Sequence, residues 1–375
     1  MSYIQGVIKV PAKLSINLNY LKHNVEFFKT KLLKNQELTV MVKADAYGAG
    51  IVETTKCLEK EGINHFGVAY LKEAVLLRKN GIKAEIIVFS GLVISEIEQA
   101  VHVDAIYSVS DLEMLNLLNE KASEYEKTVK VELAIDTGMT RLGFDKTQMQ
   151  ELIDTLKSLK NIEVHGVYSH MSQVDTSKEF TLTQIKVFDE CVDILKTNGI
   201  NPKYVHICNS VGILKYNSTK YNMVRLGIGA YGYELDSFIG EASSLKGIFK
   251  LTAPICNIRN VDVGRQVSYG GTYITNKPTK IAVLQIGYAD GLTRTLSNRY
   301  SVSINGKEAK IIGRICMDTC MVDVTEIDIN IHDEAVIFDY NDGKIESIAQ
   351  LTDTIVYEII TNIGKRVDRK YLDEE

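Results

Sequence analysis

The chain has no apolar run near the ~18 residues that a membrane-spanning helix needs, so we expect no membrane anchor. It has no basic surplus: 43 Lys and Arg against 48 Asp and Glu leave a net charge of −5. A nucleic-acid surface draws on such a surplus, and we expect no nucleic-acid partner. The opening MSYIQGVIKVPAKLSINLNY lacks the charged leader and apolar core of a secretory signal. Cysteine is sparse. Cys57, Cys191, Cys208, Cys256, Cys316 and Cys320 show no paired framework, which fits reduced thiols in a cytoplasmic protein. Cys316 and Cys320 would form half a metal site only if other ligands converged; small core residues explain them equally, and we expect no metal. Repeats, low-complexity stretches and long linkers are also missing. What is present is 375 residues, 45% apolar and 24% charged, an ordinary soluble composition with length for two domains.

Up to residue 245, short apolar runs alternate with amphipathic stretches. LTVMVKA precedes GIVETTKCLEKEG, HFGVAYL precedes KEAVLLRKNG, and EIIVFSG precedes VISEIEQAV. The rhythm continues through AIYSVS, VKVELAID, IEVHGVYSH and KYVHICN, and closes at NMVRLGIGAYG. Continuous apolar strands belong to parallel sheets covered on both faces. About eight such units fit a (β/α)8 barrel, the TIM-like α/β fold, better than an open sheet. We therefore place a barrel over residues 1–245. From 246 to 375 short strands separated by turn residues, such as TKIAVLQIGYA, YSVSING, KEAKIIGRICM and DEAVIFDY, predict a mainly antiparallel β domain. SIAQLTDTIVYEIITNIG adds a helical pattern near the end.

In VMVKADAYGAG an apolar strand runs directly into Lys43. Lysine is among the residues least often buried, yet barrel enzymes place their chemistry at the C-terminal ends of their strands. Position leaves two readings open: a lysine that forms a Schiff base with a carbonyl cofactor, or one that snorkels to the rim. Other strand ends carry polar groups too: Asp136 and Arg141 in AIDTGMTRLGF, His170 in GVYSH, Asn209 and Ser210 in HICNS, Arg225 and Gly227 in VRLGIG. Together they suit an anionic, aromatic cofactor. GIGAYG (Gly227 to Gly232) matches a dinucleotide fingerprint, but it closes the βα series and YELDSFIGEASS after it opens no apolar helical face. A cradle for a single phosphate, completed by Ser210 and Tyr47, suits it better.

VKADAYG, DTGMTRLG, HICNS, RLGIGAYG, VSYGGTY, GYADGL and GRICMD, in that order and over nearly the whole chain, resemble the motif series of the alanine racemases. The resemblance implies a fold-type III pyridoxal-phosphate racemase, with pyridoxal 5′-phosphate on Lys43 and a head-to-tail homodimer with shared active sites. It implies two bases, Lys43 for the D-enantiomer and Tyr269, given by the partner subunit, for the L-enantiomer. Cofactor contacts fall to Tyr47, His170, Asn209, Ser210, Arg225, Gly227 and Ile228. Arg225 would face the pyridine nitrogen and His170 would pack near the ring. Arg141 and the Met317 N–H would bind the substrate carboxylate, while Tyr288 and Asp290 would line the entrance. The implied product is D-alanine for peptidoglycan.

Three positions depart from the family pattern. Ala134 replaces a lysine, carbamylated in the family, that helps hold the carboxylate-binding arginine; Ala49 stands for a histidine and Lys365 for a phosphate-contacting tyrosine. Ala134 keeps a serine or broad-specificity racemase in view as the alternative. A non-catalytic pyridoxal-phosphate-binding barrel is disfavoured because it would lack the β domain carrying Tyr269. The alanine-racemase form of nearly every motif speaks against a barrel decarboxylase.

Overall fold

The computed structural model describes residues 12–233, 244–331, 333–340 and 342–373. Residues 234–243, most of the stretch after GIGAYG, lie outside them. The described residues form two compact units. One runs from Lys22 to Leu245; the other joins those before Lys22 to those from Lys246 onward. In chain order the strands discussed below are β1 (Lys13–Asn17), β2 (Glu37–Met41), β3 (His65–Val68), β4 (Glu85–Val88), β5 (Ile106–Val109), β6 (Val129–Ala134), β7 (Ile162–Tyr168), β8 (Tyr204–His206), β9 (Met223–Leu226) and β10 (Phe249–Val261).

β2 to β9 form one parallel sheet in the order β8-β7-β6-β5-β4-β3-β2-β9. Its two edges meet: Arg225 N donates to Cys208 O at 3.0 Å, and Val205 N donates to Asn222 Oδ1 at 2.8 Å. The result is the nearly closed eight-stranded barrel that the alternation predicts. β3, β5, β8 and β9 are buried at every position, as strands covered on both faces must be. The covering helices are amphipathic. Met149–Ser158 buries Met149, Leu152, Ile153 and Leu156, one stripe at helical spacing. Asp111 and Ser177 cap Leu112–Glu124 and Lys178–Thr197 by accepting the N–H of Met114 and Phe180, satisfying donors that helix starts leave open.

The second unit corrects one boundary. β1, placed in the barrel by its position in the chain, pairs antiparallel with β10 and parallel with Asp368–Leu372. Its alternating burial, with Leu14 and Ile16 fully buried, suits a sheet with one face on a core rather than a doubly covered barrel strand. The barrel unit therefore begins near Lys22, not at residue 1. The rest of this sheet is antiparallel, as expected. KEAKIIGRICM is strand only over Lys307–Lys310. Gly313 then turns at φ 76°, where a Cβ would lie 2.7 Å from Val267 O. The terminal helical pattern is two helices, Lys344–Leu351 and Val356–Thr361, parted where Asp353 adopts φ 55°.

Leu14→Ala should cost about 2–5 kcal/mol, the usual range for a leucine truncated in a packed core. Hydrogen exchange locates the loss: protection should fall in Phe249–Val261 and Asp368–Leu372 while the barrel strands keep theirs. Equal loosening of the barrel would contradict the assignment of β1.

Candidate active site

β2 delivers Lys43 to the C-terminal mouth of the barrel, half-buried, and the backbone after it turns the wrong way. Ala44, Asp45, Ala46 and Tyr47 all have positive φ, between 52° and 57°. In a left-handed helix an L-residue loses roughly 1–2 kcal/mol, so four in succession need support from outside. The turn closes on itself through Ala46 N to Val42 O (2.9 Å) and Gly50 N to Asp45 O (2.8 Å). Asp45 Oδ1 accepts the N–H of Ile51 at 2.8 Å. Glu73 Oε1 accepts the N–H of Ala44 at 2.8 Å. Tyr231 donates its hydroxyl to Met41 O at 2.8 Å and stacks its ring on Tyr47, centroids 4.6 Å apart. Burial first, then Arg141, holds the Lys43 ammonium below the ordinary lysine range; Glu73 opposes them and Arg225 adds to them. Lys43 is thus primed toward its nucleophilic, uncharged form.

Arg225, in β9, is 4% exposed, and a buried guanidinium needs acceptors. Nη2 donates to Ser169 O at 2.7 Å and to Ile207 O at 3.3 Å. Nη1 donates to His206 Nδ1 at 2.6 Å. An arginine can only donate, so His206 carries its proton on Nε2 and passes it to Glu132 Oε2, 3.1 Å away. Glu132 is fully buried, and its Oε1 has no hydrogen-bond partner among the described residues. Gly166 leaves room for that oxygen, since a Cβ there would lie 2.7 Å from it. Tyr168 and Phe89 present their rings to the guanidinium, 5.4 and 5.7 Å from Cζ to centroid, a favourable cation–π arrangement. Burial works against the Arg225 charge, while Tyr168 and Glu132 support it. His170 Nδ1 lies 3.4 Å from Nη2. Burial, followed by Arg225, Arg141 and Lys43, pushes His170 down to about 3, so its ring is neutral.

A third cluster lies where β8 and β9 end. Ser210 Oγ accepts the N–H of Gly227 at 2.9 Å and that of Gly229 at 3.4 Å. A Cβ on Gly227 would sit 3.0 Å from Tyr47 Oη and 3.7 Å from Ser210 Oγ. The missing side chain thus opens a hollow with two hydroxyls and a bare backbone on its wall. Those are phosphate-binding groups, and the hollow fits the phosphate of pyridoxal 5′-phosphate. Asn209 contributes indirectly: its Oδ1 caps Ser210–Lys215 through the N–H of Gly212 at 3.0 Å. The helix after Gly227 spans only Ile228–Tyr231, far short of a dinucleotide-binding crossover helix.

Arg141 is exposed in the loop after β6 and makes no hydrogen bond or ion pair among the described residues. Asp136 shapes that loop. Its Oδ1 accepts the N–H of Gly138 (2.8 Å) and Thr140 (3.1 Å), and Phe144 N closes the loop on Ala134 O at 2.8 Å. Tyr269, Tyr288, Asp290 and Met317 belong to the second unit. Tyr269 is 71% exposed, on a turn where Ser268 and Gly270 have positive φ. Ser268 Oγ donates to Arg314 O at 2.6 Å, tying that turn to the Met317 loop. Asp290, expected at an entrance, is 6% exposed and bound to Arg366 Nε at 2.6 Å. Arg366 also holds Asp318 at 2.7 Å, and the N–H of Ala289 reaches Met317 O at 3.0 Å. Asp290 is thus a brace for the Tyr288 and Met317 loops. The sequence does not single out Glu73, Glu132, His206 or Tyr231 at the barrel mouth, nor Arg366 beneath the loops of the second unit. No pattern in one sequence marks a side chain that acts across the fold.

Comparison with known proteins gives this geometry a family. Residues 16–235 match the alanine racemase N-terminal domain and residues 248–371 the alanine racemase C-terminal domain. The chain is 38% identical to an alanine racemase of Carboxydothermus hydrogenoformans, over 96% of this chain and 100% of that one. It is 34% identical to one of Helicobacter pylori, over 98% and 100%. Among solved structures, an alanine racemase of Clostridium difficile 630 superposes with a TM-score of 0.94 at 35% identity, covering 98% of both chains. One from Bartonella henselae with covalently bound pyridoxal phosphate does so at 0.87 and 27%, covering 96% of this chain and 99% of that one. Barrel, β domain and both domain matches agree: the chain belongs to the alanine racemase family, isomerases that depend on pyridoxal phosphate.

Proposed function

We propose that the chain interconverts L- and D-alanine with two bases on opposite faces of the α-carbon: Lys43 from its own barrel and Tyr269 from a partner subunit. Lys43 carries this reading, because a lysine disfavoured as an ammonium is held beside a hollow lined by two hydroxyls and bare backbone, and beside a fixed buried guanidinium. Bound there, pyridoxal 5′-phosphate supplies the conjugated ring that spreads the charge left when the α-proton departs. The protein does the rest. Tyr47, Ser210 and the backbone of Gly227 and Ile228 hold the phosphate, and Asn209 fixes the strand end that carries Ser210. Arg225 keeps its protons and would offer the ring nitrogen a hydrogen-bond donor rather than an acid. His170, neutral, packs beside the ring.

Arg141 and the N–H of Met317 take the substrate carboxylate, a pairing a guanidinium suits well. Lys43 Nζ removes or returns the proton on one face, and the Tyr269 hydroxyl does so on the other. Tyr288 limits the entrance, held through Asp290 and Arg366. Support for a homodimer comes from Tyr269, Met317 and Tyr288. They are 71%, 53% and 42% exposed on interlocked loops of the second unit, the kind of apolar surface that marks an interface. No helix among the described residues is long and apolar enough to cross a membrane. With no disulfide among the described residues, the chain is proposed to work in the cytoplasm, supplying D-alanine for peptidoglycan.

Borohydride should bleach the yellow protein irreversibly, and peptide mapping should find the reduced cofactor on Lys43. An adduct on any other lysine would overturn the attachment site.

Sharing of sites predicts complementation. Lys43→Ala and Tyr269→Phe proteins should each be inactive, and subunit exchange between them should restore roughly a quarter of wild-type activity, since half the dimers are mixed and half their sites complete. Proven exchange without recovery would place both bases in one chain.

Tyr269→Phe should lose racemisation by about 10²–10⁴-fold, the contribution of a positioned acid or base. In heavy water it should still wash deuterium into D-alanine through Lys43 while producing no L-alanine. Near wild-type racemisation would move the second base elsewhere, with Tyr288 the next candidate.

A further inference from the structure

Glu73 lies outside every motif, in the first turn of the helix Leu71–Lys79 that follows β3. Its two carboxylate oxygens face different elements. Oε2 accepts the N–H groups of Ala69 (2.8 Å) and Tyr70 (3.1 Å), at the entry to its own helix. Oε1 crosses to β2's turn and accepts the N–H of Ala44 at 2.8 Å, one residue after Lys43 and at the first residue of the left-handed run. A carboxylate that accepts on both oxygens from two chain segments acts as a clamp, and charge-assisted bonds of this kind are the stronger ones. Among the described residues, Glu73 is also the one carboxylate named among the charges that move the Lys43 ammonium. The others, Arg141 and Arg225, are cations, and His170 is neutral.

We propose that Glu73 is the positioning residue of Lys43: it fastens the left-handed turn that aims the lysine into the barrel mouth. The inference rests on Lys43 being the attachment lysine. The clamp explains why a run of four strained residues persists at this point, since local strain survives only where its surroundings over-determine it. Its charge also opposes, in part, those of Arg141 and Arg225 acting on Lys43. An amide at this position keeps the size and loses the function, because it offers one acceptor oxygen, and its NH₂ would confront a backbone donor on one of the two sides.

The full-length, pyridoxal-phosphate-loaded protein tests this with Glu73→Gln and with the wild type itself. In the wild type, the Ala44 amide should exchange with heavy water at least about 100-fold more slowly than in a free peptide, although Ala44 is exposed. In Glu73→Gln that protection should fall and kcat should drop more than KM changes. The pH midpoint of the visible absorption of the Lys43-bound cofactor should move down by about one unit, because a nearby opposite charge has been removed. Borohydride mapping to Lys43 in both proteins keeps the attachment reading separate: an adduct elsewhere sinks that reading first. With the adduct on Lys43, an unprotected Ala44 amide in the wild type overturns the clamp even if the variant fails to fold. A folded Glu73→Gln protein with the wild-type midpoint and kcat overturns the charge and positioning roles.

Discussion

A guanidinium inside a barrel must find acceptors for its donors, and Arg225 finds them on two neighbouring strands. Ser169 and Ile207 offer carbonyls beyond β7 and β8, His206 offers a ring nitrogen, and Glu132 on β6 ends the chain. Because an arginine only donates, the direction of this chain is settled. His206 has one tautomer, and Glu132 accepts the last hydrogen bond. Even the absence of a side chain at Gly166 belongs to the arrangement, since a methyl there would press on the carboxylate. With that positive charge immobile at the mouth, its neighbours follow. Burial first, then this charge, keeps His170 neutral, and burial, Arg141 and, last, Arg225 push Lys43 toward the uncharged form.

The mouth is consequently short of negative charge. Arg225, Arg141 and Lys43 act on one another there, while Glu132 is buried behind His206 and Glu73 is tied to backbone amides. A cofactor phosphate and a substrate carboxylate would supply the missing anions. Ala134 sharpens the point. The small, buried side chain provides no carboxylate for Arg141, and that arginine makes no ion pair among the described residues. Its loop is instead shaped by Asp136 and by closure of Phe144 on Ala134. Arg141 therefore has an ordered backbone and a guanidinium uncommitted among the described residues.

The second unit prepares its own contribution in a different way. Tyr269 and Met317 stand exposed on tight turns, and order comes from the backbone beneath them. Ser268 bonds to Arg314 O, Ala289 to Met317 O, and Arg366 joins Asp290 to Asp318. Exposed side chains on so braced a framework suit docking against another molecule, and surface so presented loses little freedom when it is covered.

Much of this was written locally in the chain. The doubly apolar strands spelled the barrel, because burial on both faces leaves no polar positions. The turn-rich tail spelled the antiparallel sheet, and Lys43 stood out because a strand end rarely receives an ammonium. Family motifs then supplied the roles of Tyr269, Arg225 and Arg141, which no periodicity could assign. The tertiary structure decided the rest. β1 left the barrel for the far sheet because its alternating pattern has only one face to bury, and pairing over more than two hundred residues leaves no local mark. Glu132, Arg366 and Glu73 read in the chain as ordinary surface charges. They became a buried end to a proton-ordered chain, a brace and a clamp only when folding brought partners distant in sequence within hydrogen-bond reach of them. A carboxylate's role is set by the donors that reach it, and those arrive through the fold rather than along the sequence.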